Sequence, residues 1–343
     1  MKKIKTHDAV GHTLCHDVTQ IIKGEIKDAL FRKGHVITES DVPTLLYLGK
    51  DHIYVWEDDP NMLHENDAAK QLIELCINEN MHATEPKEGR IDLKADMDGL
   101  LVVDSKLLND VNLFGELMIS TRPSGSFIKR GEKLCGTRII PLTIEKEKIE
   151  QVRKITNGQP LLKLLPIKSK KYAIITTGNE LFYSRKKDTF TPVVKEKLGA
   201  YGCEMVTHVT LEDNHEHITT AIKGVLDSGA ELVLCTGGMS VDPDDNTPLA
   251  IKNAAHKVVS YGAPMLPGSM FMLAYMKDGR AICGLPGCVM YSKYTIFDIV
   301  LPRLLADIPV TPQWFASLGD GGLCLECDHC HFPNCTFWKG CND

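Results

Sequence analysis

The chain has 343 residues, 43% hydrophobic and 24% charged. These are ordinary proportions for a globular protein, and the length calls for two or three cores of about 100–200 residues each. A formal net charge of −6 argues against nucleic acid as a partner, because phosphate binding needs clustered Lys and Arg. No apolar run approaches the ~18 residues of a membrane helix. The basic start Met1–Lys5 is not followed by an apolar signal region, so a cytoplasmic protein without membrane contact is expected.

In chain order, residues 1–58 read as an α+β domain with one helix over Glu39–Leu48, opened by Ser40 and Asp41 as candidate caps. Residues 59–89 read as a helical linker, with Ala68, Leu72, Leu75 and Cys76 at helical spacing. Residues 90–145 change to short β-rich stretches broken by glycines, with strands expected at Leu100–Val103, Leu117–Ser120 and Gly136–Ile140. A polar helix, Glu145–Ile155, and a linker through Pro160 and Pro166 occupy 146–167.

Over 168–310 buried strand and helix alternate: strand Tyr172–Thr176, helix Pro192–Tyr201, strand Glu204–Val209, helix Ile218–Ser228 and strand Glu231–Cys235. Strands apolar on both faces and separated by helices indicate an α/β domain, a three-layer, doubly wound and mostly parallel sheet. Ligands bind such sheets beyond the carboxyl ends of the strands. Three strand ends are therefore the candidate loops: Thr176-Thr177-Gly178-Asn179-Glu180-Leu181, Thr236-Gly237-Gly238-Met239-Ser240, and Gly284-Leu285-Pro286-Gly287.

The Gly pair lets backbone N–H groups approach an anion unobstructed, and the hydroxyls of Thr236 and Ser240 add donors. The second loop runs on through Asp242, Asp244, Asp245 and Thr247. Carboxylates beside a phosphate cradle suggest Mg²⁺. The plainer alternative is an acidic turn capping a helix near Thr247, with Asp245 or Asn246 as cap. The basic runs Lys168, Lys170, Lys171 and Arg185, Lys186, Lys187 read as solvated faces. The remaining histidines, His208 among them, are scattered, and His215-x-His217 reads as solvated rather than ligating.

The order and spacing of these loops resembles the molybdopterin-binding fold of molybdopterin adenylyltransferases, molybdopterin molybdotransferases and the competence-damage-inducible amidase relatives. The resemblance implies that Gly237–Ser240 holds the terminal phosphate or pyrophosphate of molybdopterin, with Thr177, Gly178, Thr236, Gly237, Gly238, Ser240, Thr247, Pro286 and Gly287 lining its site. It implies that Asp245 and Asp213, with Glu180, organise Mg²⁺ and the adenylate. The β-rich segment 90–145 would be a lid or dimerisation element, and a homodimer is expected. The implied activity is insertion of molybdate into adenylylated molybdopterin. A non-catalytic cofactor carrier or insertion chaperone, and a molybdopterin adenylyltransferase, are the alternatives.

The chain departs from the resemblance in three places. Ala263 stands where the molybdotransferases carry a Lys, Cys288-Val289 follows the third loop, and the terminal β-barrel is missing. Cys288, if it begins a helix, could have a lowered thiol pKa, although a packed, unreactive side chain is the favoured reading. Instead of a barrel, 311–343 form a Cys-rich tail. Five of the twelve cysteines, Cys324, Cys327, Cys330, Cys335 and Cys341, crowd into it. The spacing is that of metal ligands, zinc first and an iron–sulfur cluster second, with His329 and His331 able to replace a thiolate. The tail resembles Cys-rich endings of metalloenzyme accessory proteins, which implies docking to a client molybdoenzyme.

Overall fold

A computed structural model describes residues 1–22, 24, 26–55, 59–243 and 245–339, with backbone only at 26 and 27. The chain forms two compact units. The first is Met1–Lys94, Lys106–Thr121 and Lys133–Leu162; the second is Ala95–Ser105, Arg122–Glu132 and Lys163–Asp343.

In the first unit, strand Lys2–Lys5 pairs antiparallel with His52–Val55 over a small core of Leu14, Ile37, Leu45 and Ile53. The first helix is shorter than the sequence suggests, Val42–Tyr47, because Pro43 sits in its first turn and sets where it begins. The helix expected within 59–89 spans only Glu65–Ile73, and strands Met62–His64 and Met81–Ala83 flank it. The β-rich stretch supplies a four-stranded sheet in the order Met81–Ala83, Arg90–Ala95, Lys133–Ile139, Leu117–Thr121. Helix Lys146–Thr156 matches its expectation.

The second unit is built on a six-stranded sheet. Its strands are β1 (Lys171–Thr177), β2 (Glu204–Leu211), β3 (Leu232–Thr236), β4 (Lys257–Tyr261), β5 (Met272–Tyr275) and β6 (Ala281–Leu285), in the spatial order β2-β1-β3-β6-β5-β4. The pairs β2–β1, β1–β3 and β3–β6 are parallel, and only the two pairs that β5 makes, with β6 and with β4, are antiparallel.

Alternate residues of β1 enter opposite cores. Tyr172 and Ile174 join a cluster with helices α1 (Phe190–Gly199) and α4 (Ile296–Leu305); Ala173 and Ile175 join another with α2 (His215–Asp227) and α3 (Thr247–Ala254). This double burial is why the middle of β1, Tyr172–Ile175, is apolar on both faces, and each fully buried Leu or Ile contributes about 1.5–3 kcal/mol. The α/β, doubly wound, mostly parallel fold expected from the sequence is thus observed. The unit also contains a three-stranded sheet with Gly99–Val103 between Phe127–Ile128 and Leu162–Pro166. Among the described residues no helix is long and apolar enough to cross a membrane.

Candidate functional site

Because β1, β2, β3 and β6 run parallel, their carboxyl ends open on one edge of the sheet. β1 ends in two buried threonines. The Thr177 hydroxyl lies 3.0 Å from Thr247 Oγ1, and donates to the Thr236 carbonyl at 3.4 Å. β3 runs directly into Gly237 and Gly238, at φ +87° and +54°. A side chain at Gly237 would collide with the Thr177 carbonyl oxygen, and a Cβ at Gly238 would stand 2.9 Å from Thr247 Oγ1. Glycine is required at the first by close approach and left-handed φ together. The Thr247 N–H closes the loop by donating to the Gly238 carbonyl at 3.2 Å.

Asp213 follows β2. Its Oδ2 accepts from the Asn179 N–H at 3.0 Å, and its carbonyl accepts from Asn246 Nδ2 at 3.0 Å, which ties the segment after β2 to the first loop and to the run-on of the second. Asn246 is the N-cap residue of α3 but makes no side-chain capping bond, so Asn246 does not act as the cap through its side chain. Asp213 Oδ1 is buried without a hydrogen bond. The nearby Thr177 hydroxyl eases its charge but is committed to Thr247 and Thr236. Burial first, then the carboxylates of Glu180 and Asp245, raise the Asp213 pKa, against the opposing Asn179 N–H.

Beyond these loops opens a cavity of about 990 Å³. Of the residues singled out from sequence, Thr177, Glu180, Thr236, Gly237, Gly238, Ser240, Asp245, Pro286 and Gly287 line it, with Asp242. Gly178, Asp213 and Thr247 are not among its lining residues; Thr247 supports the Gly237–Gly238 turn through its N–H, and Asp213 holds Asn179 and Asn246 through the contacts above. Asp244 lies outside the described residues.

Lys186 and Lys187, expected on a solvated face, line the cavity as well, as do Asp188, Ser269, Tyr291 and Ser292. Arg185 alone of that basic run turns to an aromatic partner, its guanidinium 5.2 Å from the Tyr183 ring centre. Burial raises the Asp188 pKa, but bonds from the Thr191 hydroxyl and the N–H groups of Thr191 and Phe190, with His208 nearby, bring it below the ordinary carboxylate value.

Cys288 does not begin an α-helix. Gly287–Met290 is a single 3-10 turn, and α4 starts only at Ile296. Without an α-helical N-terminus to stabilise a thiolate, burial dominates and raises the Cys288 pKa.

The tail is anchored rather than free. Leu266 N–H donates to Gly322 at 2.9 Å, Cys324 N–H to Leu266 at 2.8 Å, and Phe337 and Trp338 are buried in the core cluster of α1 and α4. This brings Leu323, Cys324 and Glu326 to the cavity lining. Cys327 and Cys330 are exposed and Cys335 is half-buried. Cys341 lies outside the described residues. Among the described residues no three His, Cys, Asp or Glu side chains stand close enough to hold a metal ion.

Residues 173–306 match the family model described as "Probable molybdopterin binding domain". Residues 3–57 match one described as a "Domain of unknown function". A "CinA-like protein" of Desulfosudis oleivorans is 33% identical over 84 residues, 24% of this chain and 20% of that protein. A "Molybdopterin molybdenumtransferase" of Synechococcus elongatus is 23% identical over 195 residues, 54% of this chain and 48% of that protein. The chain thus spans less than half the length of these curated relatives. Among solved structures, the tungsten cofactor synthesizing protein MoaB from Pyrococcus furiosus aligns at 19% identity and a TM-score of 0.32, covering 41% of this chain and 91% of that one. Over residues 173–306, then, the chain is similar to the molybdopterin-binding family.

Proposed function

We propose that the cavity binds molybdopterin, or its adenylylated form, in molybdenum cofactor biosynthesis, and that the chain is a Mg²⁺-dependent molybdopterin molybdotransferase. The observation that carries this reading is the convergence of three strand-end loops on one cavity, with Gly237 and Gly238 leaving its backbone bare of side chains. The Gly237–Ser240 loop would hold the terminal phosphate, with Lys186 and Lys187 as the lining cations.

Mg²⁺ fits the carboxylates present. Asp213 Oδ1 is a buried oxygen without a partner, and the charges of Glu180 and Asp245 reach it. These side chains form no ready-made three-ligand set, which suits an ion that takes one or two carboxylates and completes its shell with phosphate oxygens and water. Asp213 and Asp245 would hold the ion, Glu180 would orient the adenylate, and Thr177 and Thr247 would keep the Gly238 turn rigid. When bound, the ion offsets the charge of the phosphates during transfer. A homodimer, a cytoplasmic location and a client molybdoenzyme reached through the Cys tail, with zinc or an iron–sulfur cluster in it, belong to the same reading.

The second reading is a non-catalytic carrier of the cofactor. Cys324 and Glu326 favour it, because they bring the tail to the cavity itself. The test is AMP release from adenylylated molybdopterin with Mg²⁺, with and without molybdate, beside an Asp245→Asn control. Molybdate-dependent release that is lost in the control supports the transferase. Tight binding without turnover supports the carrier, and absence of binding removes both.

A further inference from the structure

His208 lies on the edge strand β2, paired across the sheet with Ile174. Its Nε2 is 2.9 Å from Thr176 Oγ1, 3.2 Å from Thr191 Oγ1 and 3.5 Å from Asp188 Oδ2. Thr176 also receives a bond from the Thr236 hydroxyl at 3.1 Å, and donates towards Asp188 Oδ2 at 3.4 Å. The other Asp188 oxygen accepts the N–H groups of Phe190 and Thr191, at 2.8 and 3.0 Å. Thr176, Thr236 and Asp188 line the cavity, whereas His208 stands behind them. One imidazole therefore touches, from outside, both a cavity carboxylate and a hydroxyl of the cavity wall.

The network has two hydrogen-bonding states, because a hydroxyl can turn and an imidazole can be acceptor or donor. With Nε2 bare, it accepts from Thr176 or Thr191, and Asp188 faces the cavity with its two N–H bonds but without a positive ring behind it. With both ring nitrogens protonated, Nε2–H donates to Thr176 Oγ1, the Thr176 hydroxyl turns to Asp188, and the positive ring offsets the carboxylate. Among the described residues, Asp188 is the ionisable group within ion-pair distance of His208. The contacts from β1 and α1 are the hydroxyls of Thr176 and Thr191. Lys186 and Lys187 precede Asp188 on the same loop and line the same cavity.

We propose that His208 is a positioning residue for anion binding in the cavity, setting the charge of Asp188 and the direction of the Thr176 hydroxyl, so that an oxyanion binds more tightly when His208 is protonated. The inference rests on the reading of the cavity as an anion site. The device would couple ligand loading to the charge on the His208 ring.

Sulfate is the probe, since its own charge does not change between the two pH values used. It is titrated by calorimetry into the full chain at about pH 5.5 and about pH 8. The wild type should bind more tightly at the lower pH. In His208→Gln the ratio of the two affinities should shrink about fivefold, the effect of one partly screened charge. In Asp188→Asn, which keeps the capping oxygen, binding at the higher pH should rise towards the lower-pH value. An unchanged ratio in both variants overturns the inference and leaves the proposed function standing. If His208→Gln does not fold, Asp188→Asn alone decides. Absence of sulfate binding by the wild type at either pH removes the anion site, and this inference with it.

Discussion

Gly237 and Asp213 sit in one loop cluster, and each is there at a cost to the fold. Gly237 has a left-handed φ and no room for a Cβ beside the Thr177 carbonyl. Gly237→Ala should therefore lower stability by about 2–4 kcal/mol, adding backbone strain to a collision with rigid backbone, and urea unfolding would measure it. Asp213 acts through its charge. Its pKa is raised by burial first and then by Glu180 and Asp245, so its favourable contribution is complete while it is protonated, below the unfolded value of about 3.9. That contribution is lost as pH rises through the raised folded value. Asp213→Asn, which keeps an acceptor for the Asn179 N–H, should raise Tm at neutral pH and lose the gain in acid. Added Mg²⁺ should narrow the neutral-pH difference, and equal Tm values at neutral pH without the ion would contradict the charge argument. The Gly pair and the acids could be found from sequence because loop geometry dictates their residue types. Lys186, Lys187 and His208 could not, since an ordinary basic run and a lone histidine gain meaning only when β2 and the loop before α1 fold beside β1.

The alternation of strands and helices in the second unit could be read directly, because strands buried on both faces are apolar along most of their length, as Leu232–Cys235 is. Helix ends were harder to read. The segment after the third loop looks helical from Cys288, yet α4 waits for Thr295, whose hydroxyl accepts from the Phe297 N–H at 3.2 Å. Asp298 Oδ2 in turn accepts the Thr295 N–H at 2.7 Å. This reciprocal cap is a local signal that the nearer apolar run hides. Asp298 also pairs with Lys197 of α1 at 2.6 Å, both side chains mostly buried. Removing the cap in Thr295→Ala should cost about 1 kcal/mol, read as a lower urea midpoint at unchanged slope. A change below about 0.3 kcal/mol would mean that packing of α4, and not its cap, fixes where the helix starts.

At the scale of the whole molecule, the second unit takes two segments from earlier in the chain, Ala95–Ser105 and Arg122–Glu132. A family match over 173–306 gives no sign of them, because they recruit strand partners that are remote in sequence. Gly99–Val103 pairs with Phe127–Ile128, and the Phe127 ring meets Tyr201 edge-on, centroids 5.3 Å apart. Burial pushes the Tyr201 phenol up to about 12. A fragment starting at Lys168 should accordingly melt below the intact chain, with one tyrosine titrating nearer the ordinary value of about 10. A fragment as stable as the intact chain would show that the borrowed segments are dispensable.

The central claim, that the cavity at the strand ends is the pterin phosphate site, is tested most directly by equilibrium titration of molybdopterin into the wild type and Gly238→Ala. A Cβ at Gly238 meets the side-chain oxygens of Thr247, Thr177 and Asp213 rather than backbone, so the variant should fold with the turn pushed out of place at the cradle. Saturable binding by the wild type, weakened at least about tenfold in the folded variant, is the predicted result, the equivalent of about 1.4 kcal/mol. Equal binding by both proteins, or no binding by the wild type, would contradict the account.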